Sequence, residues 1–166
     1  TVVAVGRSAS KLEMTRPYGA DHVLATEGGA RVRDQLKAMT GGRGADVVYD
    51  AVGGTQSVEA LRAAAFGARF VIVGWASTPA VARGGREANV LPTNLILMKG
   101  IDVLGAPAAI AVHREPFLRA QRLAWILGHA QELRPHISAA FPLAQLHDVL
   151  HAKWQGKHPG NVVVHP

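Results

Sequence analysis

The feature that most constrains this chain is an alternation. Short apolar runs rich in β-branched residues take turns with longer segments of helical period, and most of the runs stop at glycine. Thr1-Val2-Val3-Ala4-Val5 is apolar throughout and ends at Gly6, the pattern of a strand buried on both faces. His22-Val23-Leu24, the run from Asp46 to Val52, Arg69 to Gly74, Ile101 to Gly105 and Asn161 to Val164 continue the series. Between them, Ser10 and Glu13 have the spacing of a capping box, and Tyr18-Gly19 supplies a glycine stop. Further helices are expected over Val32 to Met39, about Gln56 to Ala65 and Leu95 to Met98. Pro116 opens another through Gly128, with Phe117, Ala120, Ala124 and Leu127 on one face. Leu143, Leu146, Val149 and Leu150 mark the last. Strands separated by such helices need right-handed crossovers, hence a parallel sheet covered on both faces. The expected fold is α/β and doubly wound.

A length of 166 residues suits one domain, and 48 % hydrophobic against 18 % charged residues describes a well-buried one. One domain is expected over 1–166, with 161–166 as a return strand to a neighbouring catalytic domain. No apolar run reaches the roughly 18 residues of a membrane helix. The absence of cysteine removes disulfides and thiolate metal sites and suits a reducing cytoplasm. A net charge of +6 invites a nucleic-acid reading, yet Arg and Lys are scattered and only 5 % of residues are aromatic. A solvated basic surface is the expectation, with neither nucleic acid nor membrane as partner. The chain begins at Thr1 rather than at a methionine, so an upstream segment is expected.

In an open parallel sheet, ligands bind beyond the carboxyl ends of the strands. The residues there are Gly6-Arg7-Ser8, Val52-Gly53-Gly54, Gly74-Trp75-Ala76 and Gly105-Ala106-Pro107. Any one such glycine serves a tight turn, whereas the set together favours an edge that a flat ligand approaches closely. An NAD-binding fold places a carboxylate after its second strand. Here that position reads Arg7-Ser8, with Lys11 one turn on. These residues suit a 2′-phosphate, so NADPH is the expected cofactor. The bland alternative is that Arg7 and Lys11 simply face solvent at a helix start, although cations there oppose the helix dipole. The assignment takes Thr1 to Val5 as the second strand of a Rossmann-like sheet, because no G-x-G-x-x-G loop occurs in the chain. Gly41-Gly42-Arg43-Gly44 follows a helix and precedes a strand, which is the wrong context. The fold is therefore expected to lack its first strand and glycine loop.

With these stretches in view, the sequence resembles the medium-chain dehydrogenase/reductase superfamily, and within it the zinc-independent quinone oxidoreductases. The matching residues are Gly19-Ala20-Asp21-His22-Val23, the run GGRGADVVYDAVGG from Gly41 to Gly54, and Gly67 to Gly74. Leu91-Pro92-Thr93-Asn94-Leu95, Leu97-Met98-Lys99-Gly100 and His158 to Val164 complete the match. The resemblance implies a cofactor domain that follows a separate catalytic domain, and NADPH-dependent reduction of quinones or activated alkenes by hydride transfer. It implies that Val52, Gly53, Gly74, Trp75, Gly105 and Ala106 lie along the nicotinamide side, and Arg7, Ser8 and Lys11 along the 2′-phosphate side. It also implies a homodimer paired edge to edge through the strand at 101–104. Two departures are that Pro107-Ala108 replaces an aromatic pair, and Gly160-Asn161 replaces a Gly-Lys.

Other chemistry is less well supported. His147 and His151 are spaced i, i+4, but a metal needs a third ligand and an oriented partner. No metal site is expected. Asp50 could act as a base, although an Asp after a strand more often caps a helix or holds a ribose. Trp75 could stack near the nicotinamide or fill the sheet edge. A zinc-dependent alcohol dehydrogenase and a non-catalytic nucleotide-binding or dimerisation module are the alternative functions.

Overall fold

The computed structural model describes residues 1–27, 31–78 and 89–166. They fall into two compact units, Thr1–Ala109 and Ile110–Pro166. Most of the loop read from Ala76 to Asn89 lies outside the described residues.

The first unit holds β1 (Val3–Gly6), α1 (Ala9–Glu13), β2 (His22–Ala25), α2 (Val32–Met39) and β3 (Ala45–Asp50). It continues with α3 (Thr55–Ala63), β4 (Ala64–Ile72), α4 (Thr93–Lys99) and β5 (Asp102–Gly105). Every strand pair is parallel. β1 pairs with β2 in one sheet, and β3, β4 and β5 form another in that order. The fold is α/β with parallel, Rossmann-like sheets. A doubly wound order of 3-2-1-4-5-6, with its first strand taken out, leaves this division.

Two apolar clusters hold the unit. Phe70 and Leu61, both wholly buried, join Ala64, Ala65, Ala68 and Ile101, with Leu95 and Ile96 of α4 packed on them. Leu24 of β2, Val32 and Leu36 of α2 and Ala63 of α3 form the second, with Val3 and Ala45 against it. That second cluster joins the two sheets through α2 and α3. From Val47 to Asp50, β3 alternates outward and inward residues. Val48 of β3 packs into the first cluster, while Val47 and Tyr49, on the other face by alternation, are 59 % and 74 % exposed.

The α3–β4 junction also departs from the sequence reading. The alanines after Leu61 read as helix, but α3 ends at Ala63 and Ala64 pairs with Ala45. A register shift follows, with Gly67 at φ +71°, before Val47 pairs with Arg69. The apolar run starting at Arg69 is thus the second half of a bulged strand. Gly44 explains why the chain turns tightly beneath it. It sits at φ +96°, and a first side-chain carbon there would overlap the Ala63 carbonyl oxygen and approach the Ala64 carbonyl carbon to 2.9 Å.

Lys99 ties α4 to this junction. Its ammonium donates to the carbonyl oxygens of Leu61, Arg62 and Ala64 at 3.2, 2.7 and 2.8 Å. The Leu61 carbonyl also accepts the Ala64 N–H, and the ammonium gathers it with the Arg62 and Ala64 carbonyls where α3 gives way to β4. Burial, with the Lys37 and Arg33 cations nearby, holds the amine below the usual lysine range.

At the unit boundary lies α5 (Ala108–Arg114), which sequence periodicity did not reveal. The second unit contains α6 (Pro116–Gly128), β6 (Ile137–Pro142), α7 (Leu146–Trp154) and β7 (Asn161–His165). The expected apolar face of α6 is largely open, with Phe117 and Leu127 both exposed. The final strand finds a parallel partner in β6, a strand absent from the sequence reading. Ser138, Ala139 and Ala140 carry little strand preference, which hid it. No helix among the described residues is long and apolar enough to cross a membrane.

Replacing Lys99 with Met should lower stability by about 1–2 kcal/mol, because three carbonyls lose an ionic donor. Phe70→Ala should cost more, about 3–5 kcal/mol, through the cavity it leaves. Urea unfolding of each variant against wild type measures both.

Candidate functional site

At the end of β1 the chain opens a cleft of about 390 Å³ lined by Gly6, Arg7, Ser8, Lys11, Leu12 and Glu27. Local packing shapes it. Leu12 of α1 is buried, and a side chain at Gly6 would stand 3.1 Å from its Cδ2 atom. Glycine therefore lets α1 fold back close to the strand end. Beyond the last β1–β2 pair, Thr26 N–H donates to the Gly6 carbonyl at 2.8 Å and Glu27 N–H to that of Arg7 at 3.2 Å. This fixes Glu27 beside Arg7.

The expected capping box does not form. Ser8, not Ser10, is the residue before α1, and its side chain makes no capping bond. The Ser8 and Ser10 hydroxyls instead lie 3.0 Å apart. Arg7 makes no ion pair among the described residues. The cleft thus gathers all three residues expected at the phosphate side, Arg7, Ser8 and Lys11. It adds Glu27, which the sequence reading missed.

The second group lies beyond β3 and β4. Asp50, 8 % exposed, ends β3. Its carboxylate accepts the N–H groups of Val52 and Gly53 at 2.9 and 3.2 Å and the Ser57 hydroxyl. Its carbonyl accepts Val73 N–H at 2.7 Å and Gly74 N–H at 3.2 Å. The side chain is therefore occupied in holding the turn that leads into α3, but it does not cap the helix: Gly54 precedes α3 and no side chain caps it. Acid–base work would require breaking those bonds.

Around this turn, Ala76 N–H and Ser77 N–H donate to the carbonyls of Ala51 and Val52 at 3.1 and 2.8 Å. The side-chain oxygen of Asn89 then bridges the two loops, accepting Gly54 N–H at 2.8 Å and the Thr78 hydroxyl at 2.9 Å. Gly53, at φ +76°, has no room for a side chain, because a Cβ would lie 2.9 Å from Asn89 Oδ1 and 3.1 Å from Trp75 Cα. Gly74 is similarly close to Ala51, at 3.2 Å from its carbonyl oxygen. Gly105 is different, with open space around it, so the turn there does not need glycine. Ala106 joins the edge by donating its N–H to the Ile72 carbonyl at 2.9 Å. Trp75 is 40 % exposed beside Gly53, a flat apolar surface on the strand-end side.

Val52, Gly53, Gly74, Trp75 and Ala106 thus share one strand-end edge, while Arg7, Ser8 and Lys11 line a cleft at another. A cationic, hydroxyl-bearing cleft can take a phosphate, and a glycine-lined edge beside an indole can take a planar ring.

No group of three or more His, Cys, Asp or Glu side chains gathers among the described residues. His147 and Asp148 approach to 3.7 Å on an open surface, and His151 bonds to Gln155. These residues offer no ligand set for zinc.

The family described as zinc-binding dehydrogenase matches residues 1–114. Quinone oxidoreductase-like protein 2 of Mus musculus is 29 % identical over 165 residues, covering 98 % of this chain and 45 % of the mouse protein. The chain therefore spans about half the length of the curated relatives it matches. Among solved structures, a mycobacterial protein in complex with NADPH superposes with a TM-score of 0.76 at 23 % identity, covering 99 % of this chain and 50 % of that one. An NAD-dependent alcohol dehydrogenase gives 0.74 at 24 % identity, covering 99 % and 43 %. Both share the fold.

Removing the Asp50 carboxylate with Asp50→Ala should cost about 2–4 kcal/mol, since two amides and a buried hydroxyl lose their acceptor. Gly53→Ala should also destabilise, by about 1–3 kcal/mol, through positive φ and contact with Trp75. Thermal unfolding followed by circular dichroism, with Gly105→Ala as a near-neutral control, checks both.

Proposed function

The chain belongs to the zinc-binding dehydrogenase family, within the medium-chain dehydrogenase/reductase superfamily, and from that premise we propose that it is the cofactor-binding part of an NADPH-dependent oxidoreductase that reduces quinones or activated alkenes. The cofactor supplies a hydride, and the protein's task is to bind it, orient it and keep water away. Arg7 and Lys11 attract a 2′-phosphate and the Ser8 hydroxyl donates to it. The loops after β3 and β4, tied by Asp50 and Asn89, hold a rigid glycine-lined edge for the nicotinamide, with Trp75 as an apolar wall. The small-molecule substrate would meet the cofactor on that side.

The observation that carries this reading is the joint presence of Arg7, Ser8 and Lys11 in one cleft at the end of β1. NAD-binding folds place at this point a carboxylate that bonds the ribose hydroxyls. The similarity to quinone oxidoreductase-like proteins supports the substrate class. Homodimer formation fits β5, the outer strand of its sheet, whose residues are all exposed. Two copies would pair there edge to edge.

Charge reversal at Arg7 is the direct test. The intact protein should bind NADPH more tightly than NADH, and Arg7→Glu should cut the NADPH preference by about tenfold or more, as expected for a cation within reach of a phosphate. Isothermal titration with both nucleotides measures it. An unchanged preference in Arg7→Glu would remove the phosphate from this cleft.

A further inference from the structure

The cleft at the end of β1 contains a residue that does not belong in a simple phosphate site. Glu27 lines it together with Arg7, Ser8 and Lys11. Its backbone is tied to the end of β1, since its N–H donates to the Arg7 carbonyl at 3.2 Å. The backbone, rather than the side chain, holds it there. Glu27 is exposed, and its carboxylate forms no ion pair among the described residues. It is thus a negative charge on the wall of a cleft whose other charged groups are cations.

The electrostatics then follow. Arg7 and Lys11 contribute two positive charges and Glu27 one negative, leaving a formal +1 on the lining residues. A phosphate monoester carries about −1.5 to −2 at neutral pH. The cations outweigh the carboxylate, so a 2′-phosphate is still attracted, but less than the two cations alone would attract it. For a ribose without that phosphate the carboxylate acts in the opposite sense, because it can accept a hydrogen bond from a free hydroxyl. Both effects narrow the gap between the two nucleotides.

On the reading that this cleft takes the 2′-phosphate, we propose that Glu27 sets how far the protein discriminates NADPH from NADH. It opposes the phosphate that Arg7 and Lys11 attract and favours the hydroxyl that replaces it. Arg7 gives the preference its sign, and Glu27 limits its size. A protein built this way accepts both nucleotides, with NADPH ahead.

The test compares wild type, Glu27→Gln and Arg7→Glu in the intact protein, each titrated calorimetrically with NADPH and NADH at low and high salt. Glu27→Gln keeps the size and polarity of the side chain and leaves the backbone bond to Arg7 intact, so circular dichroism and Tm should match wild type. The ratio of NADPH to NADH affinity should rise about threefold to tenfold in Glu27→Gln, the range for removing one charge several ångströms from a phosphate in a solvated cleft. The gain should shrink at high salt. A merely structural role for Glu27 would change both affinities together and leave the ratio alone. A ratio that falls in Arg7→Glu but does not move in Glu27→Gln overturns the role of Glu27 and leaves the phosphate assignment standing. A ratio that moves in neither variant overturns the assignment and the inference with it.

Discussion

Parallel pairing is the constraint on which the rest of this molecule depends. Two parallel neighbours cannot be joined by a hairpin, so each pair requires a crossover, and in this chain helices supply it. The crossovers set the carboxyl ends of paired strands side by side, Gly6 beside Ala25, and Asp50 beside Ile72 beside Gly105. Loops leaving neighbouring strands must then share one edge. Asp50 shows how tightly they can be joined, with its carboxylate holding the turn into α3 and its carbonyl capping the end of β4. Asn89 extends the same knot by bridging Gly54 to Thr78.

Much of this was legible in the residues. Val2 to Val5 and Val47 to Val52 announce strands through β-branched runs, and the glycines after them mark where backbones pass closely. At Gly53 and Gly74 that reading has a steric cause, whereas at Gly105 no neighbour requires glycine. The residues that escaped notice share a different property. Glu27 and Asn89 take their places from contacts across 20 and 35 residues, and Ser57 from a bond to Asp50 across a turn, none of which local periodicity encodes. The same holds for β6, whose alanines and serine become a strand only because β7 lies beside them, and for Ala64, which a helix-forming run delivers into a strand. The capping box at Ser10 failed for a local reason, since α1 starts at Ala9 and leaves Ser10 inside the helix.

The two halves of the proposed site differ in kind. The edge beyond β3 and β4 is rigid because its polar groups satisfy each other, and it selects by shape. The cleft after β1 selects by charge, through side chains that reach into solvent. Such a division lets cofactor preference change by substitution at Arg7 or Glu27 without disturbing the packed edge. Arg7, Ser8 and Lys11 were visible as a charge pattern, but the opposing carboxylate emerged only from the fold, through the backbone bond from Glu27 to Arg7.

The central claim is that both groups contact one nicotinamide nucleotide. A crystal structure of the intact protein with NADPH tests it most directly. The account predicts the 2′-phosphate among Arg7, Ser8 and Lys11, with the nicotinamide ring against Gly53 and Trp75. A nucleotide bound with its phosphate away from Arg7, or its ring away from the loops at Gly53 and Gly74, would contradict it.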